Sequence, residues 1–309
     1  MNKKIIVVCG PTAVGKTKFA IEIAKKFNGE IVSSDSMQLY KYMDIGSAKP
    51  TLDEQKQAVH HLIDCIDPKE DFSVAKYKVM AEEAIDDILQ RDHVPVIAGG
   101  TGLYVNSIIY DMDFAAPPED EELREELYKE AEKFGPEFIH NKLAELDEDA
   151  AKRIHPNNVK KVVRAIESAK LGNKVRDFSK DLRKNTKYDP ILVCLDRNRP
   201  ELYDRINKRV DILFNEGLVD EVKHLSEMGL KEANISMKGI GYKEVFQYLN
   251  GEITLEESKE LIKRNTRRFA KRQLTWFRKY EDMKWFNISE FVNDEDALEA
   301  IFSWVQSEL

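Results

Sequence analysis

The sequence predicts an α/β fold: a parallel sheet flanked by helices, with an all-helical insertion domain and a helical C-terminal region. Three observations predict it. Short apolar runs alternate with helix-length segments over the first third of the chain, the strand rhythm disappears between residues 113 and 189, and beyond a last apolar run at 191–195 the pattern is helical.

The apolar runs lie at 5–9, 30–33, 61–65, 94–98 and 191–195. Strands separated by helix-length segments form parallel βαβ units. After the first run comes CGPTAVGKTKFA, which contains G-x-x-x-x-G-K-T from Gly10 to Thr17. A helix follows directly, with Ala20, Ile23, Ala24 and Phe27 on one face and Asn28-Gly29 as its stop. Strand, glycine loop and helix in that order make the sheet P-loop NTPase-like. The glycines allow backbone N–H groups of Gly10, Pro11, Thr12, Ala13, Val14, Gly15, Lys16 and Thr17, proline excepted, to converge on phosphate oxygens at a helix N-terminus. Lys16 adds a positive charge, and the Thr17 hydroxyl a ligand for Mg²⁺. The loop specifies a di- or triphosphate but not what that group carries.

From residue 115 (Ala115-Ala116-Pro117-Pro118) helical patterns run at 120–134, 136–146 and 157–171, and the polar segment 172–190 follows. This divides the chain into a core, residues 1–114 with 191–309, and an insertion, residues 115–190. The last third reads as helices at 200–215, 218–228 and 241–249, then a long helix opened by Thr254-x-x-Glu257, a capping-box pattern. On that helix Ile262, Phe269, Trp276 and Tyr280 can share one face, beside a stripe of Arg264, Arg267, Arg268, Lys271 and Arg272.

Composition limits the function. The chain has 309 residues, 42% hydrophobic and 34% charged, with no apolar run long enough for a bilayer span and no secretory leader pattern at Met1-Asn2-Lys3-Lys4. A cytoplasmic protein without a membrane partner is expected. Cys9, Cys65 and Cys194 stand apart in apolar runs, which reads as buried free thiols, and the neighbouring His60 and His61 point to opposite faces of an extended segment. The net charge of −8 opposes a polyanionic partner only on average, because residues 263–279 (KRNTRRFAKRQLTWFRK) hold eight Lys or Arg and no acid.

A kinase or ATPase would add an apolar strand ending in a metal-binding Asp. Here IDCID at 63–67 is short, and the 94–98 run ends in Gly99-Gly100-Thr101-Gly102. What the chain offers instead is Asp35, just past the second strand. Parallel topology puts Asp35 and Thr101 beside the phosphate loop at the carboxyl edge of the sheet.

GPTAVGKT, SSDSMQLYKYMDIGSAKP, GGTGLY, RIHPNNVKKVVRAIE, GIGYKE and KRQLTWFRK occur in this order along nearly the whole chain. Together they resemble the bacterial tRNA dimethylallyltransferase (isopentenyltransferase, or IPP transferase) family. The resemblance implies transfer of a dimethylallyl group from dimethylallyl diphosphate to N6 of the adenosine at tRNA position 37, next to the anticodon, with Mg²⁺ as cofactor. It implies catalytic roles for Asp35 as base and for Thr12, Lys16 and Arg209 at the diphosphate, with Arg205 one turn earlier as a further diphosphate ligand. For the tRNA anticodon stem-loop it implies contacts from Asp35, Ser36, Met37, Gln38 and Thr101; from Arg124, Lys160, Lys161 and Arg164 in the insertion; and from Lys238, Gly239, Gly241, Tyr242, Lys243, Lys271, Arg272, Gln273, Trp276 and Arg278. Trp276 also reads as a core residue from its helical spacing. Eukaryotic relatives carry a C-terminal zinc finger, but the tail after Tyr280 contains no Cys or His, so no zinc is expected.

Three other functions compete. A small-molecule kinase would use the loop for ATP, an adenylate prenyltransferase would act on free nucleotides, and a non-catalytic nucleotide-dependent protein would bind RNA. The insertion and the basic stretch favour tRNA, and the carboxylate opposite the loop favours catalysis. No obligate protein partner is evident, and a monomer is expected.

Overall fold

The computed structural model describes residues 3–112, 120–172 and 183–309. The chain divides into two compact units, Met1–Asp111 with Lys184–Leu309, and Met112–Arg183. The predicted insertion start at 115–118 and most of the polar segment at 172–190 lie outside the described residues.

The first unit is built on a six-stranded sheet in the order β3-β2-β4-β1-β5-β6, all neighbours parallel. The strands are β1 (Lys3–Cys9), β2 (Gly29–Ser33), β3 (His60–His61), β4 (Val94–Gly99), β5 (Tyr188–Asp196) and β6 (Lys284–Asn287). Its helices are α1 (Lys16–Lys26), α2 (Leu52–Gln55), α3 (Val74–Gln90), α4 (Gly102–Ile109), α9 (Arg199–Asn215), α10 (Leu218–Glu227), α11 (Tyr242–Leu249), α12 (Leu255–Phe277) and α13 (Asp294–Glu308).

The continuous apolar strands are explained by burial on both faces. Along β1, Ile5, Val7 and Cys9 enter one core with Tyr77 and Ile85 of α3 and Ile108 of α4, whereas Ile6 and Val8 enter the other with Phe19 and Ile23 of α1 and Ile301 of α13. Each such side chain stabilises the fold by about 1.5–3 kcal/mol. In-register pairing of Cys9 with Gly99 and of Ser33 with Ala98 brings the ends of β1, β2 and β4 to one edge of the sheet. The loops leaving those three strands therefore meet.

Several expectations need correction. The third strand covers only His60–His61, because Leu62 and Asp64 adopt left-handed backbone (φ 59° and 53°) and turn the chain out of the sheet. β5 starts at Tyr188, so residues 188–190 belong to the sheet and not to the insertion. The last third is not purely helical: β6 extends the sheet beyond β5 before α13 packs against α1. On α12 the buried residues include Ile262, Ala270, Gln273 and Phe277, so Phe277 takes the fully buried position expected of Trp276. Cys65 is only half-buried, unlike Cys9 and Cys194. The Thr254 capping box is present, with Thr254 Oγ1 accepting from the Glu257 N–H at 3.2 Å and Glu257 Oε2 from the Thr254 N–H at 2.8 Å.

The second unit contains α5 (Glu121–Phe134), α6 (Pro136–Leu146), α7 (Glu148–Arg153) and α8 (Val159–Lys170) around Leu127, Ile139, Leu143, Val162, Val163 and Ile166. Asp120 caps α5, and Asp147 caps α7, the short helix the sequence pattern missed. Among the described residues no helix is long and apolar enough to cross a membrane.

Candidate active site

The phosphate loop leaves β1 at Cys9, and its shape follows from its residues. Gly10 takes φ 149°, and a Cβ there would lie 2.5 Å from the Leu195 carbonyl oxygen of the neighbouring strand. Lys16 Nζ folds back to donate to the Pro11 carbonyl at 2.8 Å. Burial pulls the Lys16 ammonium down to about 8; Asp35 works against that shift and Arg209 adds to it. The site thus holds a cation whose charge is incompletely satisfied by the protein.

Lys16, Thr17, Asp35 and Gln38 line one small, open cavity together with His60 and Gly99. Asp35 Oδ1 accepts from the Met37 N–H at 2.9 Å, which fixes the carboxylate in a turn. Thr101 Oγ1 accepts from the Ser36 N–H at 3.1 Å, and the Thr101 N–H donates to the Ser34 carbonyl. The loops after β2 and β4 are therefore tied together beside the phosphate loop, as parallel topology requires. His60 uses Nδ1 on the Ala58 carbonyl, and burial lowers its pKa. Among the described residues no group of three His, Cys, Asp or Glu is arranged to hold a metal.

Gln38 is already engaged: its Oε1 accepts from Ser33 Oγ at 3.1 Å and its Nε2 donates to the Ala48 carbonyl at 3.3 Å. One amide hydrogen and one lone pair are left for a base edge. The same Ala48 carbonyl accepts from Arg209 Nη2 at 3.4 Å. Burial lowers the Arg209 pKa while Asp35 raises it. Arg205 is more exposed and donates from Nε to the Ala13 carbonyl at 2.9 Å, so it braces the phosphate loop from outside. Thr12 and Met37 are half-buried, and the Gly239 backbone passes close to the Met37 side chain.

The remaining expected contacts divide by exposure. Lys238, Lys243, Lys271, Arg272 and Arg278 reach solvent, as do Lys160, Lys161 and Arg164 on α8 of the helical unit. Tyr242 does not: it is fully buried, with its hydroxyl on Glu221 Oε1 at 2.8 Å, and Gly241 beside it is buried too. These two lie beneath the surface that the neighbouring lysines form. Gln273 is also buried, and Trp276 is half-buried with its Nε1 donating to the Tyr280 hydroxyl. Arg124 clamps the buried Glu167 through Nε and Nη2 at 3.1 and 2.9 Å, which makes it a strut between α5 and α8.

One residue was missed by sequence reasoning. Glu221, on α10, accepts from the backbone N–H groups of Asp44, Ile45 and Gly46 and from Tyr242 Oη, at 2.7–3.0 Å. It fixes the loop that presents Ala48 to Gln38 and Arg209. A carboxylate on the polar face of an amphipathic helix carries no local signal of such a role.

Comparison with known proteins gives the family. The model of the IPP transferase family matches residues 38–280. A tRNA dimethylallyltransferase of Alkaliphilus oremlandii is 51% identical over 302 residues, covering 97% of this chain and 96% of the relative. The solved tRNA isopentenylpyrophosphate transferase of Bacillus halodurans superposes with a TM-score of 0.74 at 42% identity, covering 99% of this chain and 98% of the other. A eukaryotic dimethylallyltransferase acting on tRNA gives 0.82 at 29% identity, covering 99% of this chain and 80% of the other. With a matching family model over most of its length and a relative about half identical from end to end, the chain belongs to the IPP transferase family.

Proposed function

We propose that the chain transfers the dimethylallyl group of dimethylallyl diphosphate to N6 of the adenosine at position 37 of tRNA, releasing diphosphate. The observation that carries this reading is the shared cavity, which sets the Asp35 carboxylate opposite the phosphate loop with Lys16 and Thr17.

The chemistry follows from the residues. As the allylic C–O bond breaks, its electron pair goes to the departing diphosphate. Loop N–H groups, Lys16 and Arg209 stabilise that charge. The exocyclic N6 attacks the allylic carbon and forms the C–N bond, and its surplus proton passes to Asp35. Asp35 is held for this by the Met37 N–H. Target adenosine must leave its stack to reach the cavity, and the free polar capacity of Gln38 and the Ser36–Thr101 pair supply the reading surface. Mg²⁺ takes one or two protein ligands and the rest from phosphate and water, which fits the Thr17 hydroxyl in this lining, and it would supply further charge neutralisation at the leaving group.

The exposed cations of α12 and α8 provide the electrostatic footprint for tRNA. We further take the enzyme to act as a cytoplasmic monomer, which light scattering of the purified protein tests for oligomeric state.

The deciding experiment incubates the protein with Mg²⁺, unmodified tRNA and either dimethylallyl diphosphate or ATP. Prenylated adenosine is expected with the first donor and none with the second. Turnover of ATP without prenyl transfer rejects the reading in favour of a kinase. Prenylation of free adenine nucleotides, at rates equal to those with tRNA, rejects the macromolecular acceptor. Asp35→Ala is expected to lower transfer by about 10²–10⁴ while tRNA stays bound.

A further inference from the structure

Gln273 is a polar side chain that the mechanism above does not use, and it is 6% exposed. Its Oε1 accepts from the Thr12 N–H of the phosphate loop at 2.9 Å, and its Nε2 donates to the Gly100 carbonyl at 2.9 Å. The fit is close: a Cβ at Gly100 would lie 2.3 Å from Nε2. Next in the chain, Thr101 braces the Ser36 N–H beside Asp35. One amide group on α12 therefore spans the loops after β1 and β4, and through Thr101 reaches the loop after β2.

Both ends of the amide are engaged within the fold and, unlike Gln38, the side chain is buried, so Gln273 is poorly placed to read a base. Its neighbours are different. Lys271 and Arg272 immediately before it and Arg278 after it are exposed cations on the same segment. Docking of a polyanion on them would load α12 directly, and a side chain in the middle of that segment holds a phosphate-loop amide.

We infer that Gln273 is a positioning residue through which polynucleotide docking on α12 and diphosphate binding in the phosphate loop are energetically coupled, an inference that rests on the function proposed above. Hydrogen bonds weaken steeply with misalignment. A small displacement of α12 re-aims the Thr12 N–H, and with it the first turn of the loop. Such coupling is reciprocal: whatever factor tRNA applies to diphosphate affinity, diphosphate applies to tRNA affinity.

The test measures the affinity of the full chain for inorganic pyrophosphate with Mg²⁺, with and without saturating unmodified tRNA, by calorimetry. The wild-type ratio of the two affinities is expected to be about tenfold, within the usual range of coupling between sites. In Gln273→Met, which keeps the length of the side chain and removes both hydrogen bonds, the ratio falls to within about twofold of unity. Gln273→Glu keeps an acceptor for Thr12 but sets oxygen against the Gly100 carbonyl, and it carries the same test if the Met variant does not fold. A Gln273 that is merely structural lowers the melting temperature and both affinities together and leaves their ratio intact, and that result overturns the inference. So does a wild-type ratio of one. Pyrophosphate that does not bind the wild type at all, by contrast, removes the proposed function along with the coupling.

Discussion

Lys16 and Glu30 are two charged side chains drawn into the same α/β unit, and the protein treats them in opposite ways. Glu30 lies at the start of β2, away from the catalytic edge, and is 2% exposed. Its oxygens receive the Arg91 guanidinium at both ends, His61 Nε2 at 2.7 Å and His93 Nδ1 at 2.6 Å. The Arg91 hydrogen bonds, helped by those of the two histidines, hold its pKa down to about 2 against burial. Lys16 has a carbonyl where Glu30 has a guanidinium, and burial pulls it down to about 8. Both pKa values fall, with opposite meanings: a lowered acid is a stabilised anion, and a lowered base is a destabilised cation. Glu30 is complete as folded, whereas Lys16 is left with a carbonyl alone, as the proposed diphosphate site requires.

Substitution should separate the two. Lys16→Met is expected to lower kcat/KM for prenyl transfer by about 10²–10³, the usual loss when one charge-stabilising donor is removed, while thermal stability is unchanged or improved. Glu30→Ala should do the reverse. Denaturant unfolding is expected to show a loss of about 2–3 kcal/mol, the lower end for breaking a buried pair because Arg91 and His93 reach solvent, with turnover per folded molecule within about twofold of wild type. A Lys16 variant that lost stability as Glu30→Ala does would erase the distinction.

The pH dependence sharpens it. On the proposed function the ammonium form of Lys16 holds diphosphate; that form is lost as pH rises through about 8, so pyrophosphate affinity should decline above that pH by at most about tenfold per unit. Lys16→Arg, which stays charged, should remove the inflection. The stability slopes have the same sign, because both pKa values are lowered on folding and stability rises with pH through each window. Because Lys16 has a folded pKa below its ordinary 10.5, the unfolded chain keeps that proton longer, and its contribution to stability grows from pH about 8 to 10.5. Glu30, lowered from 4.5, contributes fully above 4.5 and loses that contribution as pH falls through about 2. Calorimetric melting of Glu30→Gln beside wild type, from neutral to acid pH, should show the two converging at the acid end.

What the sequence made legible was local. The phosphate loop, Asp35 and the strand ends could be placed together because parallel topology forces loops after neighbouring strands to one edge. The Thr254 cap could be read because its partners lie three residues apart. The missed features depend on partners far along the chain. Glu221 holds Asp44, Ile45 and Gly46 from 175 to 177 residues away, and Gln273 reaches Thr12 across 261. Tyr242 and Gln273 sat in motifs rich in Gly, Lys and Arg, where composition says surface and packing says core. Strand β6 was missed because KWFN is too short to display alternation.

The same contrast between satisfied and unsatisfied charge should recur, at smaller scale, along α12. Lys263 is spent within the protein, on Asp211 at 2.8 Å and Glu260 at 3.4 Å. Lys271 is exposed one face away, its carbonyl accepting from Thr275 Oγ1, and among the described residues no carboxylate pairs with its ammonium. A cation already paired displaces few counterions on binding nucleic acid, whereas an exposed one displaces about 0.7–0.9 per phosphate it meets. Titrating tRNA binding between about 50 and 200 mM salt, Lys271→Ala is expected to shallow the log–log slope by about 0.7–0.9 and to weaken binding several-fold at the low-salt end. Lys263→Ala should leave the slope unchanged and act only through the local packing of α9 and α12. Equal slopes in the two variants would mean that α12 meets tRNA through its whole charge and not through the cations that folding left unpaired.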